Sequence, residues 1–174
     1  MKLILSVSPK DFDDILLAEK NIIKNFKGGF LVSYLAVRKK PELLEKLIHI
    51  KKLNPNLCLM LDSGAHSFIY IFAKKIKKIS VEMGHGLNKE AVNIMKHLGI
   101  NNFIKEYSMF MYKYKDLFDI FVELDLQAIY GMNTINSWRK LFKSSCGDKL
   151  MVVWHGEDEA TTKQWCKEYT LIGL

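Results

Sequence analysis

LCLMLDSG, at residues 57–64, is an unbroken apolar run that stops at an acid, a hydroxyl and a glycine. An apolar run without polar alternation predicts a strand buried on both faces, as in a parallel sheet. Asp62, Ser63 and Gly64 then predict the point where the strand opens into a loop. Since α/β folds build their sites at the carboxyl ends of parallel strands, these residues are the first candidates for function.

The same pattern recurs three times further along the chain. A run at residues 118–124 ends at Asp125, a run at 150–154 ends at His155, and a run at 171–172 ends at Gly173. Helical patterns separate the runs, and the clearest is Pro41–Leu53, with proline in its first turn. About six strands alternating with helices predict an α/β fold with a parallel sheet.

Turn residues and caps predict the other boundaries. Gly28-Gly29 predicts a turn before a strand over Phe30–Tyr34. Asn101 and Asn102 predict the cap of a helix over about Phe103–Lys115. Further helices are predicted over Lys89–Leu98, Thr134–Ser145 and Asp158–Lys167.

Length and composition favour one domain over residues 1–174. The hydrophobic fraction of 49% is that of a globular chain with a sizeable core. No apolar run approaches the roughly 18 residues of a membrane span, and the short apolar start predicts a strand rather than a signal peptide. Cys58, Cys146 and Cys166 are widely spaced and predict inert thiols. We therefore expect a cytoplasmic protein with no membrane partner.

The net charge of +7 can attract a polyanionic partner, either DNA or tRNA; the alternative is that the lysine richness reflects biased codon usage only. Of 26 basic residues only Arg38 and Arg139 are arginine, the side chain best suited to two-pronged phosphate contacts. The KKIKK run supplies the candidate phosphate contacts, which are Lys74, Lys75, Lys77 and Lys78. The alternative for this run is a solvated helix face.

Asp62 and Asp125 are expected at the same end of neighbouring strands. Two carboxylates placed in this way repel each other unless a ligand, cation or proton separates them, which suits acid/base chemistry or recognition of N–H donors. His155, at a third strand end, is expected to face the two acids. The structural alternatives are a turn or helix cap for Asp62 and a structural role for His155. His66 is a weaker candidate.

Carboxylates and an imidazole could also hold a metal ion. The sequence nevertheless lacks HxH, HExxH or a close pair of acids. Neither a metal nor a cofactor is predicted.

Five short motifs follow one another in the second part of the chain. They are LDSGA-x-S at residues 61–67, KDLFD at 115–119, LD at 124–125, HGED at 155–158 and Y-x-x-IGL at 169–174. In order and spacing they resemble the tRNA-guanine transglycosylase superfamily. The resemblance is greater to the phage and prophage relatives associated with 7-deazaguanine modification of DNA. It covers the chain from about Leu57 onward.

The resemblance implies a (β/α)8 barrel with its site at the carboxyl ends of the strands. It implies that Asp62 takes part in proton transfer and that Asp125 recognises the N–H edge of a purine or 7-deazaguanine base. Gly173 would approach the base through its backbone. We expect Ser63, Gly64 and His155 to complete the substrate-binding set.

The sequence departs from the family in ways that affect the expected fold and activity. The family's aspartate nucleophile and its zinc-binding cluster both lie beyond the IGL strand, so no residue here inherits either role. A complete barrel takes about 250 residues. We therefore expect an incomplete TIM-type (β/α)8 barrel, the N-terminal part of a transglycosylase-like barrel, which an oligomer or a partner chain completes.

Three functions are compatible with these residues. The first is exchange or recognition of a purine or 7-deazaguanine base in nucleic acid, without turnover by the isolated chain. The second is a non-catalytic base-binding or assembly subunit. The third is a metal-dependent barrel hydrolase that uses Asp62, Asp125 and His155.

Overall fold

A six-stranded parallel sheet, in the order β1-β2-β3-β4-β5-β6, forms the centre of the computed structural model. The structure describes residues 3–8, 10–11, 14–15, 20–65, 67 and 100–173. The strands are β1 Ile4–Ser6, β2 Gly29–Ser33, β3 Cys58–Asp62, β4 Ile120–Val122, β5 Leu150–Val153 and β6 Leu171–Gly173. Each strand therefore pairs with its neighbour in sequence.

Helices connect the strands. The described helices are α1 Lys20–Asn25, α2 Tyr34–Lys39, α3 Pro41–Leu53, α4 Ile100–Tyr114, α5 Gln127–Tyr130, α6 Met132–Cys146 and α7 Glu159–Glu168, with a 3-10 turn at Gly147–Lys149. Parallel strands in sequential order, joined by right-handed crossovers, carry their helices on one face. The sheet curls around its other face, so the predicted incomplete α/β barrel is confirmed.

The two faces of the sheet differ in burial. In β3, Leu59 and Leu61 are fully buried in the core, whereas Met60 and Asp62 are only half-buried. The same alternation occurs in β2 and β5. The prediction that β3 is buried on both faces is therefore wrong for one face. Helices cover the Leu59 face, and the Met60 face is the one around which the sheet curls.

Several boundaries differ from those predicted. Tyr34 does not end β2 but begins α2, a short helix that apolar periodicity did not reveal. Gly29 is not in a turn: it is the first residue of β2, where an added Cβ would lie 2.4 Å from the Cys58 carbonyl oxygen. Asn101 and Asn102 lie within the first turn of α4 rather than at its cap, because the helix already begins at Ile100.

β4 is also shorter than the apolar run that predicted it. Asp119, which lies before the strand, accepts a hydrogen bond from the Leu59 N–H at 2.8 Å through Oδ2. The same oxygen accepts a bond from Lys51 Nζ at 2.7 Å. The Asp119 side chain therefore satisfies the Leu59 N–H, while the Asp119 backbone N–H donates to the Leu59 carbonyl oxygen at 2.9 Å, and the paired register begins at Met60 and Ile120.

Other local predictions are confirmed. α3 runs from Pro41 to Leu53 as predicted, and Asp158 caps α7 by accepting a hydrogen bond from the Thr161 N–H at 3.0 Å. Cys58 and Cys146 are buried thiols. In the part of the chain that the structure describes, no helix combines the length and apolar character that crossing a bilayer requires. The predicted helix over Lys89–Leu98 lies outside the described residues.

Candidate functional site at the carboxyl ends of the strands

The loop after β3 is a turn built by Asp62. This residue ends the strand, and its Oδ2 accepts a hydrogen bond from the Gly64 N–H at 2.8 Å. Ser63 is buried, and its Oγ accepts a hydrogen bond from the Ala65 N–H at 3.4 Å. The turn that the sequence left open as an alternative for Asp62 is thus formed. The carboxylate also stands at the carboxyl end of the sheet, as predicted.

Gly64 allows this turn to pack against the preceding strand connection. Its φ is +75°, in the region that only glycine adopts without strain. An added Cβ would lie 2.9 Å from Ser33 Oγ and 2.9 Å from Leu35 Cγ. The positive φ explains why a glycine occupies this position, and the expected contact of Gly64 with a substrate stays a prediction.

Tyr107 of α4 joins the ends of β3 and β4 from the helix layer. It is fully buried, and its hydroxyl donates to the Val122 carbonyl oxygen at 2.8 Å and lies 3.4 Å from that of Leu61. Burial first, and then the negative charge of Asp62, raise the pKa of the Tyr107 hydroxyl well above its ordinary value of 10.0. The hydroxyl therefore stays protonated and remains a donor to these carbonyl groups.

Asp125 and His155 meet at the ends of β4 and β5. His155 Nε2 lies 2.8 Å from Asp125 Oδ1, and the two side chains are 35% and 43% exposed, respectively. The predicted approach of these two residues is thus observed, and both remain accessible to a ligand. A carboxylate paired with an imidazole can accept hydrogen bonds and move protons, which are the two properties that base recognition and acid/base chemistry require.

Glu157 supports the loop that carries His155. Its Oε2 accepts a hydrogen bond from the His155 backbone N–H at 2.8 Å, and Gln127 Nε2 donates to its Oε1 at 3.4 Å. Partial burial opposes ionisation of Glu157, but these hydrogen bonds outweigh it and lower the pKa of the carboxyl below its ordinary value of 4.5. Glu157 is therefore a permanent negative charge next to His155 near neutral pH.

Gly173 lies at the end of β6. Its carbonyl oxygen accepts a hydrogen bond from the Trp154 N–H at 2.8 Å, which links the strand to the residue before His155. An added Cβ would lie 3.0 Å from Met151 Cε, on the face around which the sheet curls. The absence of a side chain at Gly173 thus leaves room for the Met151 side chain, and contact of the Gly173 backbone with a base stays a prediction.

Glu123 and Arg139 belong to the same region and were not singled out from sequence. Arg139 of α6 donates to Glu123 through Nε at 2.5 Å and through Nη2 at 2.7 Å, and both residues are buried. The sequence held two signals for the pair. Glu123 is a charged residue inside an apolar run, and Arg139 is one of two arginines among 26 basic residues.

The remaining candidates do not enlarge the site. Lys74, Lys75, Lys77, Lys78 and His66 lie outside the described residues. Within the described ranges, no group of three or more His, Cys, Asp or Glu side chains is arranged to hold a metal ion, so Asp62, Asp125 and His155 do not form such a group.

An apolar groove lies elsewhere in the described part of the molecule. It has a volume of about 750 Å³ and lies between α2, α3 and α4, where Tyr34, Arg38 and Met109 are among its lining residues. None of the predicted site residues that the structure describes lines it. The candidate site is therefore defined by the acids and the histidine at the strand ends rather than by this groove.

The candidate site thus consists of the chain segments at the carboxyl ends of β3, β4 and β5, together with Gly173 at the end of β6. The contacts that define this site all lie within the chain itself and do not depend on similarity to other proteins. No protein-family model matches this sequence, and no curated protein matches it either.

Proposed function

We propose that this chain binds a purine or 7-deazaguanine base of nucleic acid at the carboxyl ends of its strands, as part of a transglycosylase-type base exchange. The observation that carries the proposal is the 2.8 Å contact between Asp125 and His155 at the ends of two parallel strands. Asp62 ends the strand next to β4. The proposal also draws on the motif resemblance from Leu57 onward.

The roles follow from the chemistry of each group. The face of a guanine-type base that carries N–H groups presents donors, and a carboxylate only accepts, so Asp125 would bind that edge. His155 orients this carboxylate through their hydrogen bond. Asp62 would exchange a proton with the base, and Ser63, Gly64 and Gly173 would form the backbone walls around it.

A second candidate function is a non-catalytic base-binding or assembly subunit. The six-stranded sheet favours it, because the described strands form an incomplete barrel rather than the closed one of the resembled family. The two candidates differ in turnover. Base exchange by the isolated 174 residues would support an active enzyme, and base binding without exchange would support the subunit.

Calorimetry with guanine and 7-deazaguanine bases tests the binding proposal. Hydrogen bonds to a charged group contribute about 1.5–3 kcal/mol, so Asp125→Asn should weaken base binding roughly tenfold or more. Asp62→Asn should change affinity less, because its proposed role is proton transfer.

Asp148→Asn is the matched control for this test. Asp148 is an exposed acid in the 3-10 turn before β5, at the amino end of that strand and so at the end of the sheet opposite to the candidate site. The Asp148→Asn variant should bind the base with the same affinity as the unaltered chain. Equal affinity of the Asp125→Asn variant and the unaltered chain would remove the role assigned to Asp125.

We further propose that the protein acts in the cytoplasm, with DNA or tRNA as the partner that carries the base. Cys58, Cys146 and Cys166 are all free thiols, which fits a reducing compartment. The Lys74–Lys78 run would contact the phosphates.

A further inference from the structure

The most deeply buried ion pair in the described part of the chain stands directly behind the candidate site. Glu123 is 2% exposed and Arg139 is 1% exposed. The guanidinium donates a hydrogen bond to each carboxylate oxygen, at 2.5 and 2.7 Å. Neither residue belongs to the proposed base-binding set, although Glu123 is only two residues before Asp125.

Glu123 extends the connection between β4 and β5 beyond their backbone ladder. The last ladder pair is Val122 with Met151. Past it, the Glu123 N–H donates to the Met151 carbonyl at 3.0 Å, and Glu123 Oε1 accepts from the Val153 N–H at 2.6 Å. Asp125 and His155 each lie two residues further along their own segments, so this side chain fixes the two segments just before they meet.

Arg139 is itself held in place by three other groups. Its guanidinium carbon lies 4.0 Å from the centre of the Trp165 ring and 6.0 Å from that of Tyr169, and its Nη1 donates to Asn136 Oδ1 at 3.3 Å. The guanidinium of Arg139 is therefore held in one orientation by contacts with α6, α7 and the segment before β6. Glu123 takes its position from that orientation.

The energetics of burial argue for a geometric role. Desolvating two charges can cost as much as their attraction returns, and well-packed apolar replacements of similar volume are often as stable. A hydrophobic pair could therefore fill this volume. Such a pair could not accept a hydrogen bond from the Val153 N–H, and it would therefore not hold the two strand ends in one register.

We propose that Glu123 and Arg139 are the positioning pair that holds Asp125 and His155 in their 2.8 Å contact. The inference deepens the proposed function, since it concerns the same site. It does not require that the ligand be a base, because the contact it explains lies within the protein.

The test measures the His155 ring directly, by long-range 1H–15N NMR of its imidazole nitrogens at one fixed pH. The spectrum of His155→Asn identifies the signals, and Asp125→Asn shows them without the carboxylate contact. In Glu123→Met/Arg139→Met, both charges are removed together, so that no unpaired charge is buried. This double variant should fold cooperatively and show the His155 signals of Asp125→Asn. A folded double variant with unchanged His155 signals would overturn the proposal.

Arg139→Lys provides a second variant should the double one fail to fold. Lysine keeps the charge but cannot grip both oxygens of Glu123. It should shift the His155 signals toward those of Asp125→Asn, and unshifted signals would refute the positioning role.

The other arginine supplies the matched control. Arg38 also pairs with a glutamate, Glu106, at 2.6 Å, but at an exposed position between α2 and α4. Arg38→Met should leave the His155 signals unchanged; if it shifts them as Arg139→Lys does, the effect is not specific and the proposal fails.

Base affinity separates this proposal from the proposed function. If both hold, the double variant loses base affinity to about the same extent as Asp125→Asn, tenfold or more. If the His155 signals shift in the Glu123 and Arg139 variants while Asp125→Asn leaves base affinity unchanged, the positioning role is supported and base recognition by Asp125 is refuted.

Discussion

At the scale of single residues, Gly64 determines the shape of the turn that follows Asp62. Gly64→Ala should destabilise the protein by about 2–4 kcal/mol, because alanine there meets both backbone strain at φ +75° and atoms 2.9 Å from its Cβ. Urea unfolding measures this loss.

Gly131→Ala separates the two causes. Gly131 has the same φ of +75°, but no atom lies within 4 Å of an added Cβ. It should therefore cost only the strain of its own backbone conformation, with φ +75° and ψ 157°, which is about 1–3 kcal/mol. Equal losses for the two variants would show that packing against Ser33 and Leu35 does not constrain the turn.

At the scale of elements, the outer strands β1 and β6 are the least protected. Among the described residues, β1 pairs only with β2, and β6 pairs only with β5. Leu3 and Leu5, at β1, are 64% and 40% exposed. Open strand edges with apolar side chains favour pairing with another chain. We therefore expect the isolated chain to self-associate, with a mass by light scattering at least twice its 20.2 kDa.

Charges on the β1 edge should reduce this association. Leu3→Lys/Leu5→Lys should shift the mass toward the monomer, because lysine on an edge strand opposes pairing. Met109→Lys is the control, since Met109 is 72% exposed but lies on a helix. An unaltered chain that is monomeric at every concentration would contradict the expectation. Equal effects of the two variants would point to general surface apolarity rather than to the edge.

At the scale of the whole molecule, the net charge of +7 is opposite in sign to the charge of the candidate site. The described strand ends carry Asp62, Asp125 and Glu157, which repel phosphate. If the proposed nucleic-acid partner binds, its attraction must therefore come from lysines outside this cluster. If the Lys74–Lys78 run supplies it, affinity for DNA or tRNA should fall steeply between about 50 and 200 mM salt.

Serine substitution of Lys74, Lys75, Lys77 and Lys78 should make that salt dependence shallower. The slope of log affinity against log salt should decrease by about 0.9 for each duplex phosphate that a lysine no longer neutralises. Serine at Lys24, Lys27, Lys52 and Lys167 is the matched control, since it removes the same charge from exposed positions at or just after helix ends. Equal slopes for the two variants would show that only net charge matters, and an unchanged slope in the first would identify the run as a solvated face.

Sequence alone predicted the strands and the longer helices, together with their order. The apolar runs predicted the strands, and Pro41 and Asp158 correctly located the starts of two helices, because periodicity and caps act within a few residues. The motif resemblance and the chain length predicted the incomplete barrel, and the alternation of strands and helices was enough to predict a parallel sheet. It also placed Asp62, Asp125 and His155 at strand ends.

Tertiary structure alone decided which of these side chains touch. The Asp125–His155 contact and the Glu123–Arg139 pair each join residues that separate elements carry, and the link from Glu123 to Val153 spans 30 positions. Tyr107 reaches the ends of β3 and β4 only because α4 packs on the sheet. Such contacts depend on strand register and helix packing, which burial of the whole core sets and which no local pattern encodes.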